Sequence, residues 1–207
     1  MQGLLARMVS AGMTHCVLEA TSHGLAQQRV AACEFDIAVV TNITHEHLDY
    51  HGSVAGYLEA KGMLFESMAS AVQKVGVRKL AVLNRDDFQS YEYLCDRLQV
   101  DYVDYGLQSG TAVGAENICS DGAGTRFDVH TDGEYFAVET VLPGEYNVSN
   151  CLAAISVARN GLGLAVESIQ TGISTMPTIP GRMERIDLGQ EFEAVVDFAH
   201  TPNALRE

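Results

Sequence analysis

Phe35-Asp36-Ile37-Ala38-Val39-Val40-Thr41-Asn42-Ile43-Thr44-His45-Glu46-His47-Leu48-Asp49-Tyr50-His51 is the stretch on which the fold turns. Its first half is a short apolar run ending in Thr and Asn, the pattern of a strand buried on both faces of a parallel sheet. Its second half places three histidines and two carboxylates within seven residues, 45 to 51. Open α/β sheets hold their ligands at the carboxyl ends of parallel strands, so the run predicts both a fold and the side of it that carries chemistry. A polar cluster after a strand also serves as turn and helix cap, and the flanking sequence must weigh the two.

Upstream, Leu4, Leu5, Met8 and Val9 have helical spacing and Gly12 stops that helix. Cys16-Val17-Leu18-Glu19 reads as a strand whose exit, Glu19-Ala20-Thr21-Ser22-His23-Gly24, offers a carboxylate and two hydroxyls. A helix and then the strand at 36 to 41 follow. Downstream, Ser53 can cap a helix over roughly 53 to 75. Its apolar face is Tyr57, Leu58, Leu64, Phe65 and Met68, and Lys61 lies on that face. A lysine there either snorkels from the edge of the stripe or is held half-buried with a lowered pKa, which makes the amine nucleophilic or modifiable.

Lys79-Leu80-Ala81-Val82-Leu83-Asn84 is a further buried strand, ending in Arg85-Asp86-Asp87, and a helix near 88 to 98 and a strand at Tyr102-Val103 continue the alternation. Alternating helices and strands predict a doubly wound, mostly parallel α/β sheet. From Ala115 to Leu142 the period changes to two, with strands at 126 to 130 and 135 to 138 around the turn Thr131-Asp132-Gly133-Glu134, an antiparallel subunit appended to that sheet. Gly144-Glu145-Tyr146-Asn147-Val148-Ser149-Asn150 opens an alanine-rich helix running to Arg159, and a second helix spans about 166 to 174. Pro180-Gly181-Arg182 reads as a linker, and 194 to 200 as the first strand of another domain. The expected division is a central domain at 1–178 and a linker with the start of a C-terminal α/β domain at 179–207.

The balance of 13 basic against 27 acidic residues gives a net charge of −14, which opposes binding to nucleic acid or an anionic membrane. A phosphate-bearing ligand must then be held by a few placed cations, metals or helix N-termini. The five cysteines are scattered and never spaced C-x-x-C, as in a reduced cytoplasmic protein. No apolar run is long enough for a membrane-inserted span, and no signal-like segment follows Met1.

Seven motifs in order carry a resemblance that none carries alone: E-A-T-S-H-G-L-A-Q-Q-R, T-N-I-T-H-E-H-L-D-Y-H-G, E-A-K-G-M-L-F, L-N-R-D-D, G-E-Y-N-V-S-N, G-R-M-E and D-F-A-H-T-P-N-A-L. Together they resemble the Mur ligase family, ATP-dependent amide-bond-forming ligases of peptidoglycan synthesis, and most of all the type that adds the third residue to UDP-N-acetylmuramoyl-L-alanyl-D-glutamate. The resemblance implies ATP and magnesium as cofactors, and the UDP-N-acetylmuramoyl-dipeptide and an amino acid as partners. Glu19 and His47 would be ligands of the catalytic magnesium ions, and Lys61 the lysine that is carbamylated in the family. Carbamylation turns a cation into an anion fit for magnesium. Asn42 would support the nucleotide and metal end of the site. Thr21, Ser22, Gln27 and Arg29 fall on the stretch that contacts the UDP-muramoyl-peptide. Asn147 and Asn150 would lie by the adenine, Arg182 would reach the phosphates as a forked donor, Asp197 would accept from the ribose hydroxyls and His200 would line the cleft.

The chain departs from the family in having Thr21 for serine, His45-Glu46 for Arg-Asp and Phe198 for tyrosine, and above all in containing no G-x-x-G-K-[ST] phosphate loop. The expectation is a fragment that cannot perform the chemistry alone. Two alternatives stand beside it: another ligase of the superfamily, of folylpolyglutamate synthase or cyanophycin synthetase type, and a non-catalytic binding module for the nucleotide or UDP-sugar peptide.

Overall fold

The computed structural model describes residues 1–43, 51–121 and 124–200. The fold is α/β, with a mostly parallel six-stranded sheet in the order β1-β2-β3-β4-β5-β6 and a separate two-stranded antiparallel sheet, β7-β8. The strands are β1 (Ile37–Val40), β2 (Leu80–Asn84), β3 (Tyr102–Gly106), β4 (Val113–Asp121), β5 (Gly124–Thr131), β6 (Glu134–Thr140), β7 (Glu184–Ile186) and β8 (Ala194–Val196). Contacts divide the chain into two compact units, residues 1–82 with 87–102, and residues 83–86 with 103–207.

In the first unit, α1 (Gln2–Ser10) forms where the helical spacing places it but buries none of its residues. The strand expected at Cys16 to Glu19 does not form: residues 13–20 have no regular structure and Val17 is fully exposed. An apolar tetrapeptide becomes a strand only through ladder hydrogen bonds to a neighbour, and among the described residues no strand pairs with this one. Helix α2 (Ser22–Ala26) follows, with the Thr21 hydroxyl accepting from the Gly24 N–H at 3.0 Å as N-cap. β1 joins the ladder where the Leu80 N–H donates to the Asp36 carbonyl at 3.1 Å.

Helix α3 (Val54–Ser70) is capped by Ser53, whose Oγ accepts from the Gly56 N–H at 3.1 Å. It ends at Ser70 rather than near 75 because Ala71 turns extended and the Lys79 amine takes up the carbonyls of Ala69 and Ala71, two of the acceptors a helix end leaves open. All five residues of β2 are buried. Helix α4 (Phe88–Cys95) is capped by Asp87 and stops short of the expected 98.

In the second unit β3 pairs with β4 in parallel, while β4–β5 and β5–β6 are antiparallel. The appended subunit therefore has three strands where the alternation at 126 to 138 predicted a hairpin. β4 escaped notice because its burial does not alternate and a register shift interrupts it between Glu116 and Cys119. The β5–β6 turn has Asp132 and Gly133 at φ 50° and 79°, the mirror-image turn that matches strand twist. Helix α5 (Glu145–Ser156) runs into one π-helical turn, Val157–Gly161, and α6 (Val166–Ser174) follows. Phe127, Val129, Val138, Leu152 and Ile155 form the core of this unit, each 0–1% exposed.

Candidate functional site

The candidate residues divide between the two units. In the first unit, β1 delivers the chain to Thr41 and Asn42, both exposed. The Ile43 N–H then donates to Asp87 Oδ2 at 2.7 Å. Asn42 is thereby tied at its next residue. Ser22, in the first turn of α2, is buried at 2% exposure, and its hydroxyl has no hydrogen-bond partner among the described residues.

A line of rings connects α2 with α3. His23 meets His51 edge-on with centroids 5.4 Å apart, and His51 lies 5.3 Å from Tyr57. The Lys61 amine lies 5.8 Å from the Tyr57 ring centroid, a cation over a π face. Lys61 is half-buried and Tyr57 buried, so the unexpected lysine of the apolar stripe rests on the ring one turn before it.

Glu19, Thr21, Gln27 and Arg29 are exposed along the segment before and after α2. His47 lies outside the described residues, as do His45, Glu46 and Asp49. Among the described residues no three His, Cys, Asp or Glu side chains come together as a metal-binding group.

In the second unit three segments converge. Asn147, in the first turn of α5 and 7% exposed, donates from Nδ2 to the Pro143 carbonyl at 2.7 Å, and its Oδ1 accepts from Asn150 Nδ2 at 3.4 Å. Asp197 accepts at both oxygens, from the N–H groups of Met183 and Ala199, each at 2.7 Å. These bonds, aided by Arg182, hold its carboxyl below the ordinary value of 3.8 against a small opposing effect of burial. Burial first, then the Asp197 charge, pushes the Tyr146 phenol above 10, opposed by its hydrogen bond with Asn147 and by Arg182.

The Arg182 guanidinium lies over the Phe198 ring at 5.2 Å, and His200 packs edge-on to the same ring at 5.1 Å. Beside this group is a cavity of about 170 Å³ lined in part by Leu142, Pro143, Thr178, Arg182 and Arg185. Asn147, Asn150, Arg182, Asp197 and His200, scattered over 54 positions, thus belong to one neighbourhood. Tyr146 and Asp87 sit in the motifs G-E-Y-N and L-N-R-D-D, but nothing in the sequence gives either a role at the site. Phe198 was noted only as a departure, and its contact with Arg182 has no signature in spacing.

Amides at a helix start, an arginine on an aromatic ring and polar residues at strand exits define a doubly wound α/β domain of the class that holds ligands at the ends of its strands. More narrowly, the chain belongs to the Mur ligase family: the family profile described as the Mur ligase middle domain matches residues 1–158. It is 39% identical over 205 residues to UDP-N-acetylmuramoyl-L-alanyl-D-glutamate--2,6-diaminopimelate ligase of Geobacillus kaustophilus, covering 99% of this chain and 41% of that protein. It is 40% identical over 212 residues to UDP-N-acetylmuramyl-tripeptide synthetase of Roseiflexus sp., covering 100% of this chain and 42% of that one. A solved structure of a UDP-N-acetylmuramoyl-L-alanyl-D-glutamate--2,6-diaminopimelate ligase superposes with TM-score 0.81 at 34% identity, over 99% of this chain and 41% of that structure. The MurF ligase of Thermotoga maritima in complex with ADP shares the fold at TM-score 0.71 and 18% identity. The chain spans about two fifths of the length of the curated relatives it matches.

Proposed function

We propose that the full-length protein is a cytoplasmic, ATP-dependent ligase that adds the third amino acid to UDP-N-acetylmuramoyl-L-alanyl-D-glutamate in cell-wall synthesis, with residues 1–178 as its central domain and 179–207 as the linker and start of the next. The observation that carries this reading is the convergence of Asn147, Arg182, Asp197 and His200 within one unit, because an amide pair, a forked cation and a carboxylate are what a nucleoside phosphate needs. In this reading Asn147 and Asn150 face the adenine. Arg182 pairs with phosphate, Asp197 accepts from the ribose through lone pairs its backbone donors leave open, and His200 lines the cleft.

In the same reading Glu19, His47 and Lys61 are the magnesium residues, and Asn42 supports the nucleotide. The donor chemistry fits: Glu19 offers an exposed hard oxygen, and Lys61 on its ring becomes an oxygen donor once carbamylated. Bound magnesium supplies the charge screening that lets two anions, a carboxylate and a triphosphate, meet. Thr21, Ser22, Gln27 and Arg29 hold the UDP-muramoyl-dipeptide. The reaction joins its D-glutamate carboxylate to the γ-phosphate of ATP as an acyl phosphate, releasing ADP, and the incoming amine then displaces phosphate.

The test is phosphate release by the full-length protein with ATP, the UDP-dipeptide and either meso-diaminopimelate or lysine. Release that requires all three reactants is expected. Release that is indifferent to the UDP-dipeptide removes the reading in favour of another ligase of the superfamily, and ATP binding without release favours a binding module.

A further inference from the structure

L-N-R-D-D is the motif to which the proposed chemistry assigns nothing, yet its last residue reaches across the first unit. Asp87 caps α4 with Oδ1, which accepts from the Ser90 N–H at 3.4 Å, while Oδ2 accepts from the Ile43 N–H at 2.7 Å. The shorter bond is therefore the one that spans 44 positions, and the local cap is the longer. Carboxylate-to-amide bonds are roughly twice as strong as neutral ones, more so where partly buried as this one is.

We propose that Asp87 is a positioning residue: it fixes the chain where β1 ends, and so sets where Asn42 is presented. The residue type suits the task. Both oxygens are used as acceptors, from two different elements, and only a carboxylate offers two acceptor oxygens without a competing donor. Asparagine would turn an NH₂ group toward one of the two N–H groups. Serine would still cap α4 but is too short to reach Ile43, so it separates the two duties.

The proposal rests on the ligase reading only for its effect on turnover, so exchange, turnover and thermal stability are each measured on the full-length protein carrying Asp87→Ser. Hydrogen–deuterium exchange of a peptide ending at Ile43 is expected to speed up about tenfold, with β2 unchanged, since loss of a tether raises local opening alone. Unchanged exchange at Ile43 overturns the proposal whether or not the protein is a ligase. In turnover, kcat is expected to fall about tenfold to a hundredfold, the scale of a misplaced positioning group. KM for the UDP-dipeptide should stay within about twofold and thermal stability within about 2 °C, because the helix cap survives. A kcat within about twofold of wild type overturns the positioning role. So does a loss that Asp87→Glu fails to restore even in part while it restores Ile43 protection. A wild-type protein without ligase activity removes the ligase reading and leaves the exchange result to decide.

Discussion

The two units hold their candidate residues by different means. In the second, Asp197 is tied by two backbone N–H groups, Asn147 by the Pro143 carbonyl, and Arg182 by the Phe198 ring, so the group is fixed by bonds within the unit itself. In the first, Glu19 is exposed in a segment with no regular structure, Asn42 is held through its neighbour Ile43, and Lys61 rests on a ring stack. A residue is as well placed as the hydrogen-bond ladder or cap it stands next to. Asn147 and Asp197 stand next to α5 and β8, whereas Glu19 stands next to nothing regular.

The largest effect that can test this contrast is at Lys61. On the proposed assignment of Lys61 to the magnesium, Lys61→Ala in the full-length protein should lower turnover by about a thousandfold, since it removes a charge from that group. Its fold should remain, because the half-buried lysine lies at the edge of a stripe whose buried members are Tyr57, Leu58, Phe65 and Met68. Circular dichroism with phosphate release checks both halves, and retained activity excludes a role for Lys61 at the metal. Rescue of Lys61→Ala by added short carboxylates would sharpen the assignment, as they could supply the missing oxygen donor.

Next in size is the packing difference. Phe127→Ala should cost about 3–5 kcal/mol, as it empties a site with no exposure in the second unit's core. Leu4→Ser on α1, where no residue is buried and Leu4 is 60% exposed, should cost less than about 0.5 kcal/mol. Urea unfolding of both variants gives the comparison directly. Similar costs for the two would mean that α1 is as well covered as β5.

What could be read in the sequence follows the same division. β1, α3, β2 and the β5–β6 pair announce themselves by apolar runs, a serine cap and strict alternation, all local signals. Lys61 could be singled out because a charge on a helical stripe conflicts with its neighbours. The strand expected at 16 to 19 failed because its pattern was right but its pairing absent, and β7 was missed because Glu184-Arg185-Ile186 has no strand pattern and exists only through its ladder with β8. The His23–His51 contact and the Ile43–Asp87 bond join residues 28 and 44 positions apart, and no local period encodes such contacts.

The smallest effect is the pH dependence of the tie at Asp197. Its carboxyl titrates below the ordinary 3.8 because the N–H groups of Met183 and Ala199 favour the charged form, with Arg182 adding to them. A depressed carboxyl pKa stabilises the folded protein at pH values above the unfolded one and ceases to do so as pH falls through the folded one. Asp197→Asn should therefore be less stable than wild type at neutral pH, and the difference should shrink as pH drops below 3.8. Since Asp197 is exposed, solvent screens the effect and it stays small. Thermal unfolding of wild type and variant over pH 7 to 3 measures it. A difference that grows on acidification would show that the two backbone bonds do not favour the carboxylate, and that the second unit's residues are no more firmly tied than Glu19 in the first.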